Sequence, residues 1–205
     1  MTFKFEMYRY ILVFFCIVAL QSCSWFATRI PEDPSSSGLG FKPPTTPDIV
    51  VSNLQNAFSD NNAENYVLCF TDTSINKNLT FQFSPSAEAN ARYSDLFAKW
   101  NTNNERTAFL SMVSRLEQNS KLLLTLSNSR FDILLPDSAV YVSDYLVSVP
   151  TVVTAFEKNY VGSMRLTISQ IGNGLWGISR WIDSRNPGID STLSTWSILK
   201  GQFSN

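Results

Sequence analysis

The chain has 205 residues, of which 16 are Lys or Arg, 17 are Asp or Glu and none is His. A formal net charge of −1 gives no basic excess, so we expect no nucleic-acid partner. Without His, the chain has no Ser-His-Asp or Cys-His nucleophile and no imidazole metal ligand, and we expect neither a metal nor a cofactor. The hydrophobic fraction of 44% is that of an ordinary globular protein.

Residues 1–22 have the pattern of a secretory signal peptide. Lys4 and Arg9 form a short basic region, and Tyr10–Leu20 is an unbroken apolar run. That run is too short for a membrane-spanning helix, which needs about 20 apolar residues, but it has the length of a signal-peptide core. We therefore expect residues 1–22 to be removed from the mature protein.

The residues Leu20-Gln21-Ser22-Cys23 resemble the bacterial lipobox. The resemblance implies that Cys23 becomes the mature N-terminus and carries lipid, which makes the membrane a partner. Ser24 permits export to the outer membrane in enterobacterial sorting, so the expected location is the bacterial cell envelope, at the outer membrane and facing the periplasm or the cell surface. The alternative is an ordinary secretory signal followed by a chance cysteine.

Residues 23–45 are expected to form the lipidated cysteine and a flexible tether. Five of the nine prolines fall between Pro31 and Pro47, and no apolar periodicity is present that could form a core. A tether of this length spans roughly 25 Å. We expect one folded domain over residues 46–185, followed by a C-terminal tail over residues 186–205.

Three helical segments are predicted between residues 46 and 118. The first begins at Thr46-Pro47-Asp48, because Thr can cap a helix, Pro suits its first turn and Asp complements its dipole. Apolar residues at helical spacing extend it to about residue 58. A short second helix is predicted over residues 63–70, and a third over about 95–118 with an interruption at 101–104.

Strands dominate after residue 119. Alternating apolar residues predict strands over residues 121–126, 139–149, 160–171 and 175–183, and a short one at 79–83. Gly172-Asn173-Gly174 predicts a hairpin turn between the last two. In a regular final strand, Trp176 and Ile178 share the core face and Trp181 points the other way. Helices followed by an antiparallel meander predict an α+β fold with the helices on one face of the sheet.

The order of these elements resembles that of nuclear transport factor 2-like (SnoaL-like) domains over about residues 46–185. The residues that carry the resemblance are Thr46-Pro47-Asp48, Asp60-Asn61-Asn62, Tyr66 and Phe70 at the start, and Trp176-Gly177-Ile178, Trp181 and Asp183 at the end. The resemblance implies a cystatin-like cone, in which N-terminal helices pack on a curved antiparallel sheet and leave a pocket at the wide end. Enzymes of that family use a pocket aspartate or a His-Asp dyad to move protons.

Five residues are candidates for the lining of such a pocket. Tyr66 and Tyr145 each carry a hydroxyl on an apolar body, Trp181 is an aromatic wall, Asp144 is an acid and Arg165 is a cation for an anionic ligand. The alternative for the aromatic residues is a place in the core. For Asp144 and Arg165 it is solvent exposure with local ion pairing.

Three functions fit these observations. The first is a non-catalytic envelope lipoprotein whose domain binds a small apolar ligand or another envelope protein. The second is a SnoaL-like isomerase or hydrolase that uses Asp144 or Asp183, although Asp183 can equally cap the last strand. The third is an assembly protein that docks on a partner through Trp196–Phe203. The missing histidine favours the first, so we assign no catalytic residue, and we expect Cys69 to be a buried small hydrophobe.

Overall fold

The computed structural model describes residues 40–72, 79–186, 188 and 192–204. The predicted signal peptide, Cys23 and most of the predicted tether lie outside the described residues. Leu39–Asn205 forms one compact unit. In the described part of the chain, none of the helices has both the length and the apolar composition needed to cross a membrane.

Six helices are described, and two of them show how sequence sets their ends. Helix α1 begins after Thr46 with Pro47 and Asp48 in its first turn, as predicted, but the Thr46 side chain makes no capping hydrogen bond. Helix α5 begins at a capping box, in which the Asn101 side chain accepts from the backbone N–H of Asn104 and the Asn104 side chain accepts from that of Asn101. This cap is the interruption predicted at 101–104. The helices are α1 (Pro47–Ser59), α2 (Ala63–Val67), α3 (Ala87–Arg92), α4 (Ser94–Phe97), α5 (Thr102–Ser114) and α6 (Trp196–Phe203).

The strands form one five-stranded sheet in the order β1-β5-β4-β3-β2. The β2–β3, β3–β4 and β4–β5 pairs are antiparallel, whereas β1 pairs with β5 in parallel. Helices followed by this meander confirm the predicted α+β class. The strands are β1 (Gln82–Ser84), β2 (Leu123–Leu134), β3 (Ser138–Ser148), β4 (Asn159–Gly172) and β5 (Leu175–Ser184).

The turn between β4 and β5 is the predicted hairpin. Gly172, Asn173 and Gly174 all have positive φ, at 120°, 51° and 73°. Glycine adopts such values without steric cost and Asn tolerates the left-handed region, so this tripeptide reverses the chain.

A β-bulge in β5 overturns the predicted orientation of Trp181. Thr167 pairs with Arg180, but the next residue of β4, Ile168, pairs with Ile178, so Ser179 is an extra residue. One extra residue inverts the alternation of side chains beyond it. Trp181 therefore faces the core together with Ile178, and both side chains are 0% exposed.

The domain extends beyond both of the boundaries expected from the sequence. At the N-terminal side, the backbone of Lys42 exchanges two hydrogen bonds with the Asn53 side chain, and the carbonyl of Pro44 accepts from the backbone of Trp176. At the C-terminal side, the expected tail forms α6, which packs against α5, α3 and β4. Seven of the eight residues of α6 are buried.

Candidate functional site

The interior between the helices and the sheet contains an ion pair rather than an open pocket. Lys200 of α6 donates to Glu105 of α5 over 2.6 Å, and each side chain is 1% exposed. Burial lowers the pKa of Lys200, while the charges of Glu105 and Asp183 oppose that shift. The favourable charges compensate in part for the removal of the ammonium group from water.

Glu105 is held by three donors from three separate segments of the chain. Besides Lys200, the indole of Trp100 donates to Oε1 and the hydroxyl of Tyr66 donates to Oε2, each over 2.7 Å. The Tyr66 ring also stacks on Phe109 at 4.5 Å. Burial, together with the neighbouring Glu105 carboxylate, raises the pKa of Tyr66 well above its ordinary value, so this hydroxyl remains a donor.

Aromatic rings surround the ammonium group of Lys200. Its Nζ lies 3.8 Å from the ring centroid of Phe83 and 3.8 Å from that of Trp181, with the rings of Trp100 and Trp196 at 5.8 Å. These distances fall within the roughly 6 Å over which a cation is attracted to an aromatic face. We call Glu105 and these four aromatic residues the ammonium cage.

A second buried carboxylate, Asp183, ties β5 to α6. Tyr145 of β3 donates to Oδ1 over 2.5 Å, and both the backbone and the hydroxyl of Ser197 donate to Oδ2. Burial raises the pKa of Asp183, against the opposing effects of these hydrogen bonds and of the Lys200 charge. The hydroxyl of Tyr145 also accepts from the backbone of Trp196, at the start of α6. The network therefore fixes the first turn of α6.

The other face of the sheet carries Asp144 and Arg165. On β3 the odd-numbered residues Ala139 to Val147 are buried, and the even-numbered residues, including Asp144, face outward. Asp144 accepts hydrogen bonds from Asn128 and Ser163. Burial acts to raise the pKa of Asp144. The pKa is nevertheless below its ordinary value, because these hydrogen bonds, a further one from Asn186 and the charge of Arg130 favour the ionised form. Arg165 donates to Asp132 over 2.9 Å. Both line a depression of about 320 Å³.

The structure does not bring the five predicted pocket residues together. Tyr66, Tyr145 and Trp181 are at most 2% exposed and lie in the core, whereas Asp144 and Arg165 lie on the outward face. Cys23 falls outside the described residues. Cys69 is buried, as expected, and burial raises the pKa of its thiol, so it is a structural residue.

The sequence analysis did not identify Glu105 and Lys200, the two charged residues at the centre of the site. Both stand in an apolar helix face, at the spacing i, i+3, i+4 and i+7. This spacing is a usable signal, since a charge inside an apolar helical face needs a buried partner. The two faces are Glu105, Ala108, Phe109 and Met112 in α5, and Trp196, Leu199, Lys200 and Phe203 in α6.

The two buried carboxylates, Glu105 and Asp183, are at most 2% exposed. Three depressions on the surface of the described residues have volumes of about 300 to 400 Å³ and are lined by residues other than Glu105, Asp183 and Lys200. The same part of the chain contains no group of three or more Cys, Asp or Glu side chains arranged to hold a metal ion.

No protein-family model matches the sequence, and no curated protein is similar enough in sequence to match. Solved structures of similar shape include a candidate scytalone dehydratase from Novosphingobium aromaticivorans, at 10% identity and a TM-score of 0.49, over 72% of this chain and 88% of that one. Another is a candidate calcium/calmodulin-dependent protein kinase II association domain from Xanthomonas campestris, at 12% identity and a TM-score of 0.48, over 79% and 95%.

A third similar structure is a nuclear transport factor 2-like protein with a cystatin-like fold from Novosphingobium aromaticivorans. It has 12% identity and a TM-score of 0.42, over 69% of this chain and 80% of that one. The order of helices and strands in this chain is the α+β arrangement predicted from the sequence, and the solved structures of similar shape include proteins described as nuclear transport factor 2-like or cystatin-like.

Proposed function

We propose that this chain is a lipid-anchored protein of the bacterial envelope whose domain is a non-catalytic binding module, with another envelope protein as its partner. The observation that supports this most is the filled interior, where Lys200 of α6 is packed between Glu105, Phe83 and Trp181. A partner would then meet the outside of the domain. The anchor is supported by the lipobox-like Leu20-Gln21-Ser22-Cys23.

The bonding of Asp183 argues against catalysis in the interior. A general acid or base must lie within hydrogen-bond reach of the proton that it moves. Both oxygens of Asp183 are already bonded, to Tyr145 and to Ser197, and its side chain is 2% exposed. A SnoaL-like isomerase or hydrolase would need this carboxylate to face a substrate.

Asp144 is accessible, but its surroundings do not suit an enzyme of that type. It lies in a depression on the outward face of the sheet and is held ionised by its hydrogen-bond donors. Active sites that move protons exclude water to strengthen their electrostatic interactions. Asp144 therefore fits better as a polar residue of a contact surface.

The anchor is tested by fractionating cells that carry Cys23→Ser or Ser24→Ala. We expect the wild type and Ser24→Ala to incorporate labelled palmitate and to partition with the membranes, and Cys23→Ser to do neither. Mass spectrometry should find an acylated peptide that begins at Cys23. Recovery of an intact peptide over residues 15–30 from most of the protein would contradict the anchor.

The filled interior is tested by acrylamide quenching of tryptophan fluorescence. A Trp25→Phe background leaves four tryptophans, at positions 100, 176, 181 and 196, each at most 7% exposed. We expect the quenching constant of the folded protein to be several-fold below that of the same protein in denaturant. Equal constants would indicate an interior open to small molecules and would favour the enzyme.

A further inference from the structure

The surroundings of Lys200 are those of a bound ligand rather than of a surface lysine. Its ammonium group lies between the faces of Phe83 and Trp181, at 3.8 Å from each centroid, and 2.6 Å from one oxygen of Glu105. Several aromatic faces and one carboxylate form a common recognition site for an alkylammonium ion. Here the ion is supplied by the chain itself.

The carboxylate end of the cage is positioned independently of Lys200. Trp100, which lies five residues before Glu105, donates to Oε1, and Tyr66, from α2, donates to Oε2. Neither residue belongs to α6. Residues outside α6 therefore hold the Glu105 carboxylate next to the position of the ammonium group.

We propose that the domain interior is a binding site for a primary alkylammonium group, and that Lys200 is its covalently attached ligand. If α6 needed only to pack against the core, an apolar side chain at position 200 would suffice. A buried ion pair is weak evidence for stability and can often be replaced by apolar residues of similar volume. The ammonium cage gives α6 a fixed register, since one residue of that helix carries the charge that Glu105 requires.

Removing the ligand from its helix should leave a site that takes a free amine. Lys200→Ala deletes three methylene groups and the ammonium group, which together have the size of n-propylammonium. We expect 50 mM n-propylammonium to raise the melting temperature of Lys200→Ala and to leave the wild type unchanged. A dissociation constant of about 1 mM would raise the ratio of folded to unfolded protein about 50-fold at that concentration.

Three controls separate recognition of the cation from a general effect of the solute. Sodium chloride matches the ionic strength, and 1-propanol matches the shape without the charge. In Lys200→Ala with Glu105→Gln the carboxylate is absent, so n-propylammonium should lose most of its effect. The proposal is overturned if 1-propanol stabilises Lys200→Ala equally, if the double variant responds as strongly, or if n-propylammonium has no selective effect.

A second variant tests the same cage if Lys200→Ala does not fold. Lys200→Met keeps an unbranched side chain between the rings of Phe83 and Trp181 but removes the cation. We expect it to melt well below the wild type, because Glu105 is left buried without its partner, and we expect Lys200→Met with Glu105→Gln to recover most of the loss. A Lys200→Met protein as stable as the wild type at pH 7 would show that the interior requires no cation, and would overturn the proposal.

Discussion

Trp181 is buried more completely than Trp176 on the same strand. It packs against Trp196 at 4.4 Å and against Phe70 and Phe83, and its side chain is 0% exposed. Trp176 lies near the turn and is 7% exposed. The sequence had suggested the reverse ranking, because a regular strand would turn Trp181 away from the core.

We expect Trp181→Ala to lower the free energy of unfolding by about 3–5 kcal/mol, the usual cost of truncating a buried aromatic residue. Trp176→Ala should cost less, since its side chain loses fewer neighbours. Denaturant melts of the two variants make the comparison. A larger loss for Trp176→Ala would mean that β5 runs without the bulge at Ser179.

Asp183 should give the stability a measurable dependence on pH. Its pKa is raised above the ordinary value of 3.8 chiefly by burial, so the folded chain holds this proton more strongly than the unfolded chain does. The stability that it contributes is therefore present at low pH and is lost as the pH rises from about 3.8 through the folded pKa.

Asp183→Asn removes that titration. We expect the difference in the free energy of unfolding between the wild type and this variant to be largest at the acid end of a pH series and to shrink as the pH rises. Denaturant melts at each pH measure it. If the difference grows with pH, the fold prefers the ionised carboxylate and the direction of the shift is wrong.

At the level of elements, β3 and β4 approach closely at one glycine. A Cβ at position 162 would lie 2.6 Å from the carbonyl oxygen of Ser184 and against the hydroxyl of Tyr145. Tyr145 cannot move aside freely, because it donates to Asp183 and accepts from Trp196. Gly162 is therefore required by the fit between three strands.

We expect Gly162→Ala to reduce the free energy of unfolding by about 1–3 kcal/mol, the usual cost of overpacking. Gly177→Ala is the matched control on β5, because its Cβ would meet its neighbours at 3.4 Å, an ordinary contact distance. Thermal melts compare the two. Similar losses for both would indicate a general cost of removing glycine from the sheet.

The elements that could be predicted from the sequence are those with local signals. The start of α1 at Pro47 and the turn at Gly172-Asn173-Gly174 depend on the residues that form them, and both are confirmed. The bulge at Ser179 depends on how β4 aligns with β5, which no local pattern records. For the same reason the inward orientation of Trp181 and Asp183 could not be predicted.

The candidate site was only partly predictable. Tyr66, Tyr145 and Trp181 were predicted to line a pocket, whereas the structure places them in the core, where their partners come from distant segments. Glu105 and Lys200 are 95 residues apart, and although each stands in an apolar helix face, no local pattern identifies its partner. Their pairing becomes visible only once α5 and α6 are packed together.

At the level of the whole molecule, α6 completes the core. Trp196, Leu199 and Phe203 are at most 2% exposed, and Lys200 neutralises the charge of Glu105. A stop codon after Ser194 removes all four. Since each buried aromatic residue is worth about 3–5 kcal/mol and a domain has only about 5–15 in total, the remaining chain should not hold its structure.

We expect the protein that ends at Ser194 to show no cooperative melt and no near-ultraviolet circular dichroism. A protein that ends at Ser204 retains α6 and should melt like the wild type. If the shorter protein melts cooperatively, α6 is an appendage of the domain, and both the filled interior and the cage would need another explanation.

The position of α6 also sets the order of events when the chain is made. The core remains incomplete until β5 and then α6 have left the ribosome, because Lys200, the partner of Glu105, lies 95 residues further along the chain. Contacts at such sequence separations form slowly. During most of its synthesis the chain is therefore unable to complete its native core, and the timing of its folding follows from the placement of one helix.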